Sequence, residues 1–125
     1  MLFYSIRLFQ IWIYTVSHSI LLLRSTNNED EEENGYNIDI EFWGVAYLEL
    51  PDMLNGLKIQ KLDSNIPNKF NKYTKKIGCD IFEILSENNL YYVVAVGCRV
   101  GKNNWLSENR VINPNLDYEE ILAVS

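Results

Sequence analysis

The chain has 125 residues, 47% of them hydrophobic, and a formal net charge of -6. This size and composition fit one globular domain over residues 1–125 with one core, which buries roughly two-thirds of the surface the unfolded chain exposes and needs no metal or disulfide. The negative charge argues against a surface that tracks phosphates, because such binding rests on Lys and Arg displacing counterions, so no nucleic-acid partner is expected.

The stretch from Met1 to Leu23 is rich in Leu, Ile, Phe, Tyr and Trp and invites comparison with a leader or anchor. Arg7, Gln10, Ser17, His18 and Ser19 interrupt it short of the roughly 18 apolar residues a spanning helix needs. No small-residue cleavage site follows, so a cytoplasmic protein without a membrane partner is expected. The β-branched and aromatic residues from Leu2 to Val16 predict a strand instead. Alternation puts Ile6, Leu8, Gln10, Trp12, Tyr14 and Val16 on one face and Phe3, Ser5, Arg7, Phe9, Ile11 and Ile13 on the other. Both faces are largely apolar, as in a strand covered on both sides or lent to an interface. Ser17, His18 and Ser19 read as a turn, and Ile20 to Arg24 as the returning strand.

Residues 26–35 contain no apolar side chain before Tyr36 and include the acidic run Glu29 to Glu33, which predicts an exposed loop. The run lacks the alternating ligands and turn glycine of a calcium loop. From Ile38 to Leu50 the alternation is the clearest in the chain and predicts one strand ended by Pro51. Asp39, Glu41, Trp43 and Glu49 share a face expected to point away from the core. Asp39 and Glu41 lie about 6.6 Å apart along that strand, compatible with a carboxylate pair and equally with an ordinary solvent-facing strand.

Asp52 to Gly56 reads as a turn and Leu57 to Leu62 as a short strand. One short helix is expected near 66–77, with Pro67 in its first turn, Phe70, Tyr73, Thr74 and Ile77 on a stripe, and lysines before Gly78. Asp80 to Leu85 and Leu90 to Val100 form a hairpin across Ser86 to Asn89. Arg110 to Ile112 suits an edge strand, and Asp117 to Val124 a closing strand or helix. The fold class expected is mostly β: an antiparallel sandwich or barrel-like sheet with one short helix.

Chemistry-bearing motifs are few. His18 is the single histidine, and Ser17 and Ser19 beside it do not make a nucleophile and base, which are defined by spatial geometry. Cys79 and Cys98 are expected as free thiols in a reducing compartment, with no zinc-type spacing. No phosphate-cradling glycine pattern, nucleophile elbow or helical zinc motif is present, so the chain leans away from an enzyme and no cofactor is expected.

The segment Ile11-Trp12-Ile13-Tyr14-Thr15-Val16-Ser17-His18-Ser19-Ile20-Leu21-Leu22-Leu23-Arg24-Ser25, with the strand from Asp39 to Pro51, resembles the N-terminal half of a group of small uncharacterised bacterial proteins. The resemblance implies a bacterial cytoplasmic protein with an aromatic strand, a Ser-His turn and an Arg-ended strand, and carries no activity.

The leading expectation is a non-catalytic interaction module that binds a protein or associates with itself; an immunity protein covering a basic toxin is one version. A small-ligand barrel is the alternative, with Tyr14, His18 and Arg24 converging on a cavity where Arg24 would hold a carboxylate or phosphate. Candidate binding residues are therefore Tyr14, His18, Arg24, Asp39, Glu41 and Trp43.

Overall fold

The computed structural model describes residues 1–26, 35–75 and 78–125. The acidic run expected at 29–33 and the helix end at 76–77 lie outside the described residues. Among the described residues there are nine strands: β1 (Phe3–Thr15), β2 (Ile20–Ser25), β3 (Asn37–Trp43), β4 (Tyr47–Glu49), β5 (Met53–Leu62), β6 (Asp80–Ser86), β7 (Asn89–Ala95), β8 (Gly97–Asn103) and β9 (Glu120–Val124). A 3-10 turn (Asn68–Phe70) runs into the short helix α1 (Asn71–Thr74). The chain is mostly β, as its β-branched and aromatic content predicts.

The strands form one antiparallel sheet in the order β4-β7-β6-β5-β1-β2-β3-β8-β9, and β4 and β9 leave it open. It is nevertheless strongly curled. Phe42 on β3 and Phe82 on β6 meet edge to face with ring centroids 5.4 Å apart, although four strand steps, about 19 Å in a flat sheet, separate them along the ladder. The curl encloses a core of Phe9, Leu21, Leu23, Ile40, Phe42, Ile59, Phe82, Ile84, Val93 and Val100.

A corner produces this shape. The expected strand from Ile38 to Leu50 breaks at Gly44, whose φ of +63° is left-handed and where any side chain would overlap Val96. Pairing passes around the corner through Val96 N–H to Trp43 O (2.9 Å) and Ala46 N–H to Val94 O (2.8 Å). Alternation alone does not reveal such a bend, and it carries Val45 into the core.

Two bulges modify β1. Ile11 pairs with Leu23 and Ile13 with Leu22, leaving Trp12 as the extra residue, so strict alternation fails there. Between Ser5–Leu57 and Leu8–Asn55, Ile6 and Arg7 face the single residue Gly56, which has a φ of +74°. The turn expected at 52–56 is therefore mostly strand, because β5 starts at Met53 and takes up the first half of β1 as its partner. Glu87 and Asn88, with φ of 49° and 66°, make the β6–β7 hairpin a two-residue turn of the kind that matches strand twist. Residues 110–112 form turns, not an edge strand: Asn109 Oδ1 accepts from the N–H groups of Val111 and Ile112, both at 3.0 Å, which holds the backbone away from a ladder.

The outer face is covered in two places. Phe70 and Tyr73 pack on Ile81, Tyr92 and Val94 of β6 and β7, giving a second apolar cluster. Residues 104–119 cross the outer face of β2, β3 and β8 as a strap.

Candidate functional site

The strap covers a polar face. Pairing aligns Arg24 with Asp39 and Asp39 with Gly101, and in the next row Leu22 with Glu41 and Glu41 with Arg99. The side chains of Arg24 and Asp39 are fully buried, with Nε to Oδ1 at 2.6 Å and Nη2 to Oδ2 at 2.8 Å. Arg24 Nη2 also donates to Glu108 O of the strap at 2.9 Å, and its guanidinium lies 5.1 Å from the Trp12 ring centroid. The bulge places Trp12 over this cation. Glu41 takes Arg110 Nε at 3.3 Å and the Tyr118 hydroxyl at 2.8 Å. Arg110 in turn donates to the carbonyls of Pro114 (3.0 Å) and Leu116, which closes the strap on itself. Tyr118 stacks on Trp105 and lies against Gly101, where a methyl group would overlap its ring.

Burial, then the Glu41 and Asp39 charges, push the Tyr118 hydroxyl far above its ordinary value, so it acts as a hydrogen-bond donor. Burial and then Glu41 also raise the Cys98 thiol; an un-ionised buried thiol is a core residue and a poor nucleophile. Arg24 and Asp39 pair with each other, and Glu41 is taken by the strap. The chemistry of this face is therefore internal: the Arg24–Asp39 pair lies within the sheet, and the Arg110–Glu41 ion pair, the Tyr118 phenol and the hydrogen bond from Arg24 to Glu108 O pin the loop to it. Among the described residues no group of three or more His, Cys, Asp or Glu could hold a metal.

This corrects the solvent-facing expectation for Asp39 and Glu41. Both are buried, because the irregular strap supplies the cover that alternation left to water. Trp43 shares their face; it lies half-buried over Gly97, where a side chain would strike its ring, with Arg99 5.4 Å from its centroid. Tyr14 and His18 do not join them. His18 is exposed in the turn, and its Nδ1 lies 3.0 Å from Ser17 Oγ, its neighbour in sequence. Tyr14 pairs with Leu21, three residues from Arg24 and so about 10 Å along β2. The guanidinium expected to hold a ligand carboxylate holds that of Asp39.

A second surface lies between the two covers. On the outer face of β1, β5, β6 and β7, Tyr4, Lys58, Leu85 and Leu90 line up across four strands. Tyr4 is 60% exposed and Ile6 76%, and Leu8, Met53, Leu85 and Leu90 are exposed as well. At its centre a groove of about 370 Å³, with Gly56, Lys58, Tyr4, Ile6 and Leu85 among its lining residues, opens at the second bulge. Periodicity picked out Ile6 and Leu8. It had no means of identifying Lys58, Leu85 and Leu90, which join them only through strand order, nor Arg110 and Tyr118, which lie in an unpatterned segment.

Comparison with protein-family models, curated proteins and solved structures found no match to this chain. Among the described residues no helix is long and apolar enough to cross a membrane.

Proposed function

We propose that the chain is a non-catalytic protein-interaction module that docks a partner on the outer face of β1, β5, β6 and β7. The observation that carries this reading is the uncovered apolar row from Tyr4 to Leu90, with Ile6 and Leu8 beside it, between two regions that the chain covers itself. Grouped apolar side chains facing water mark binding surfaces, whereas scattered ones do not.

Lys58 sets the chemistry of the partner. It lies in the row between Tyr4 and Leu85, and burying it without a counter-charge is unfavourable. The occupant is therefore a heterologous protein segment that brings an apolar anchor for the groove and a carboxylate for Lys58. A second copy stacked about a two-fold axis through this row would set Lys58 against its equal. The free thiols of Cys79 and Cys98 support placing the module in a reducing compartment such as the cytoplasm.

The test is site-specific photo-crosslinking in the source cells from position 6, with the equally exposed Ile112 on the strap as control. The expected result is one heterologous adduct at position 6, lost with Leu85→Lys and weakened by Lys58→Glu. An adduct between two copies of the chain, or equal yields at 6 and 112, overturns the assignment.

A further inference from the structure

Beside the apolar face, a lysine of the chain itself occupies an aromatic and acidic box. Lys69 Nζ lies 2.9 Å from Glu49 Oε2, 5.0 Å from the Tyr92 ring centroid and 5.2 Å from that of Phe70. The same Glu49 oxygen accepts the Tyr47 hydroxyl at 2.7 Å. Tyr47 meets Phe70 edge to face at 5.1 Å, and Phe70 meets Tyr92 at 5.0 Å. Two rings and an oriented carboxylate surround one ammonium, so ring-face attraction adds to an ion pair whose lysine and carboxylate side chains are 49% and 34% exposed.

We propose that this box is a recognition site for a primary alkylammonium group, such as a lysine side chain of another protein, held shut in the free chain by Lys69. Glu49 lies on β4, at an end of the sheet, and pairs directly with Tyr92, so the box opens at an edge a partner can reach. Its carboxylate is already organised: the Tyr47 hydrogen bond holds Glu49 below its ordinary value, and the hydrogen bond to Glu49 holds Lys69 above its own. Lys69 can vacate the box by turning its half-exposed side chain into water while the neighbouring buried Phe70 keeps the backbone of its segment in place. The direct hydrogen bond to Glu49 favours an ammonium with N–H donors over a quaternary one. Tyr92 is two residues from Leu90, so box and apolar face adjoin; the inference stands without the interaction reading, because it is tested with small ammonium ions alone.

The experiment is a titration of Lys69→Gln and the unaltered chain with n-butylammonium, tetramethylammonium and sodium chlorides at matched ionic strength, followed by NMR of the tyrosine rings. In Lys69→Gln, butylammonium is expected to saturate shifts of Tyr47 and Tyr92, more tightly than tetramethylammonium. The unaltered chain should bind about tenfold more weakly if Lys69 fills the box nine-tenths of the time, and its Lys69 Cε signal should move toward that of free lysine as the ion enters. Tetramethylammonium binding as tightly, sodium producing the same shifts, or an unmoved Lys69 signal overturns the proposal. The last measurement needs no variant to fold.

Discussion

Replacing Asp39 with Asn removes one charge from a pair in which both side chains are fully buried, and leaves Arg24 without its counter-ion. The distances of 2.6 and 2.8 Å make this a two-pronged, charge-assisted contact. Breaking a buried pair from one side costs about 3–5 kcal/mol, most of it the uncompensated charge, and a screened Coulomb attraction gives about 4 kcal/mol at 4 Å for an effective dielectric near 20. In a chain of this size 1 kcal/mol moves the midpoint by roughly 3–5 °C, so a loss of about 4 kcal/mol should make Asp39→Asn melt about 12–20 °C lower. The double variant Arg24→Met with Asp39→Leu leaves no charge behind and should lose less than either single variant. Urea unfolding of Arg24→Met, Asp39→Leu and the double gives the coupling directly. A loss below about 1 kcal/mol for Asp39→Asn, or a double variant that loses the sum of the singles, would refute the reasoning.

The other outcomes follow from the strap and the open face. Gly101→Ala should expel the Tyr118 ring and release residues 104–119, seen as rapid protease cleavage within the strap; cleavage no faster than in the parent chain would count against the strap's attachment there. Tyr118→Phe removes a hydrogen bond to a carboxylate and should cost about 1.5–3 kcal/mol. Cys98 and Tyr118 both hold their protons more tightly folded than unfolded, from ordinary values of 9.0 and 10.0. Their contribution to stability is therefore complete below pH about 9 and declines as pH rises, because above that point the unfolded chain loses protons that the folded chain keeps. Tyr118→Phe should flatten the decline above pH about 10, and an unchanged slope would sink that assignment. Ile6→Lys, on the exposed face, should change stability by less than about 0.5 kcal/mol, measured by urea unfolding, while abolishing partner crosslinking.

The strands were legible where one local rule decided them. Ile20 to Leu23 is a short unbroken apolar run, Ile38 to Phe42 alternates cleanly, and the Ser86 to Asn89 punctuation marks a hairpin whose register the two positive φ residues then fix. The same rule failed at Trp12, Gly44 and Gly56, where a bulge or corner inserts a residue or a left-handed φ that period 2 does not encode. It also misjudged Asp39 and Glu41: their shared face was readable, but its cover was not, because the strap is an irregular Asn- and Pro-containing segment held by side-chain hydrogen bonds and not by periodic apolar contacts.

By itself the sequence determined a mostly β chain, the two-faced apolarity of its first strand and the common face of Asp39, Glu41 and Trp43, since each depends on neighbours within a few residues. Tertiary structure alone decided that Arg24 is spent on Asp39, that Arg110 and Tyr118 close over Glu41, and that Tyr4, Lys58, Leu85 and Leu90 form one row. Those outcomes depend on strand order and on contacts between residues up to 84 positions apart in the chain, and no local pattern carries that information.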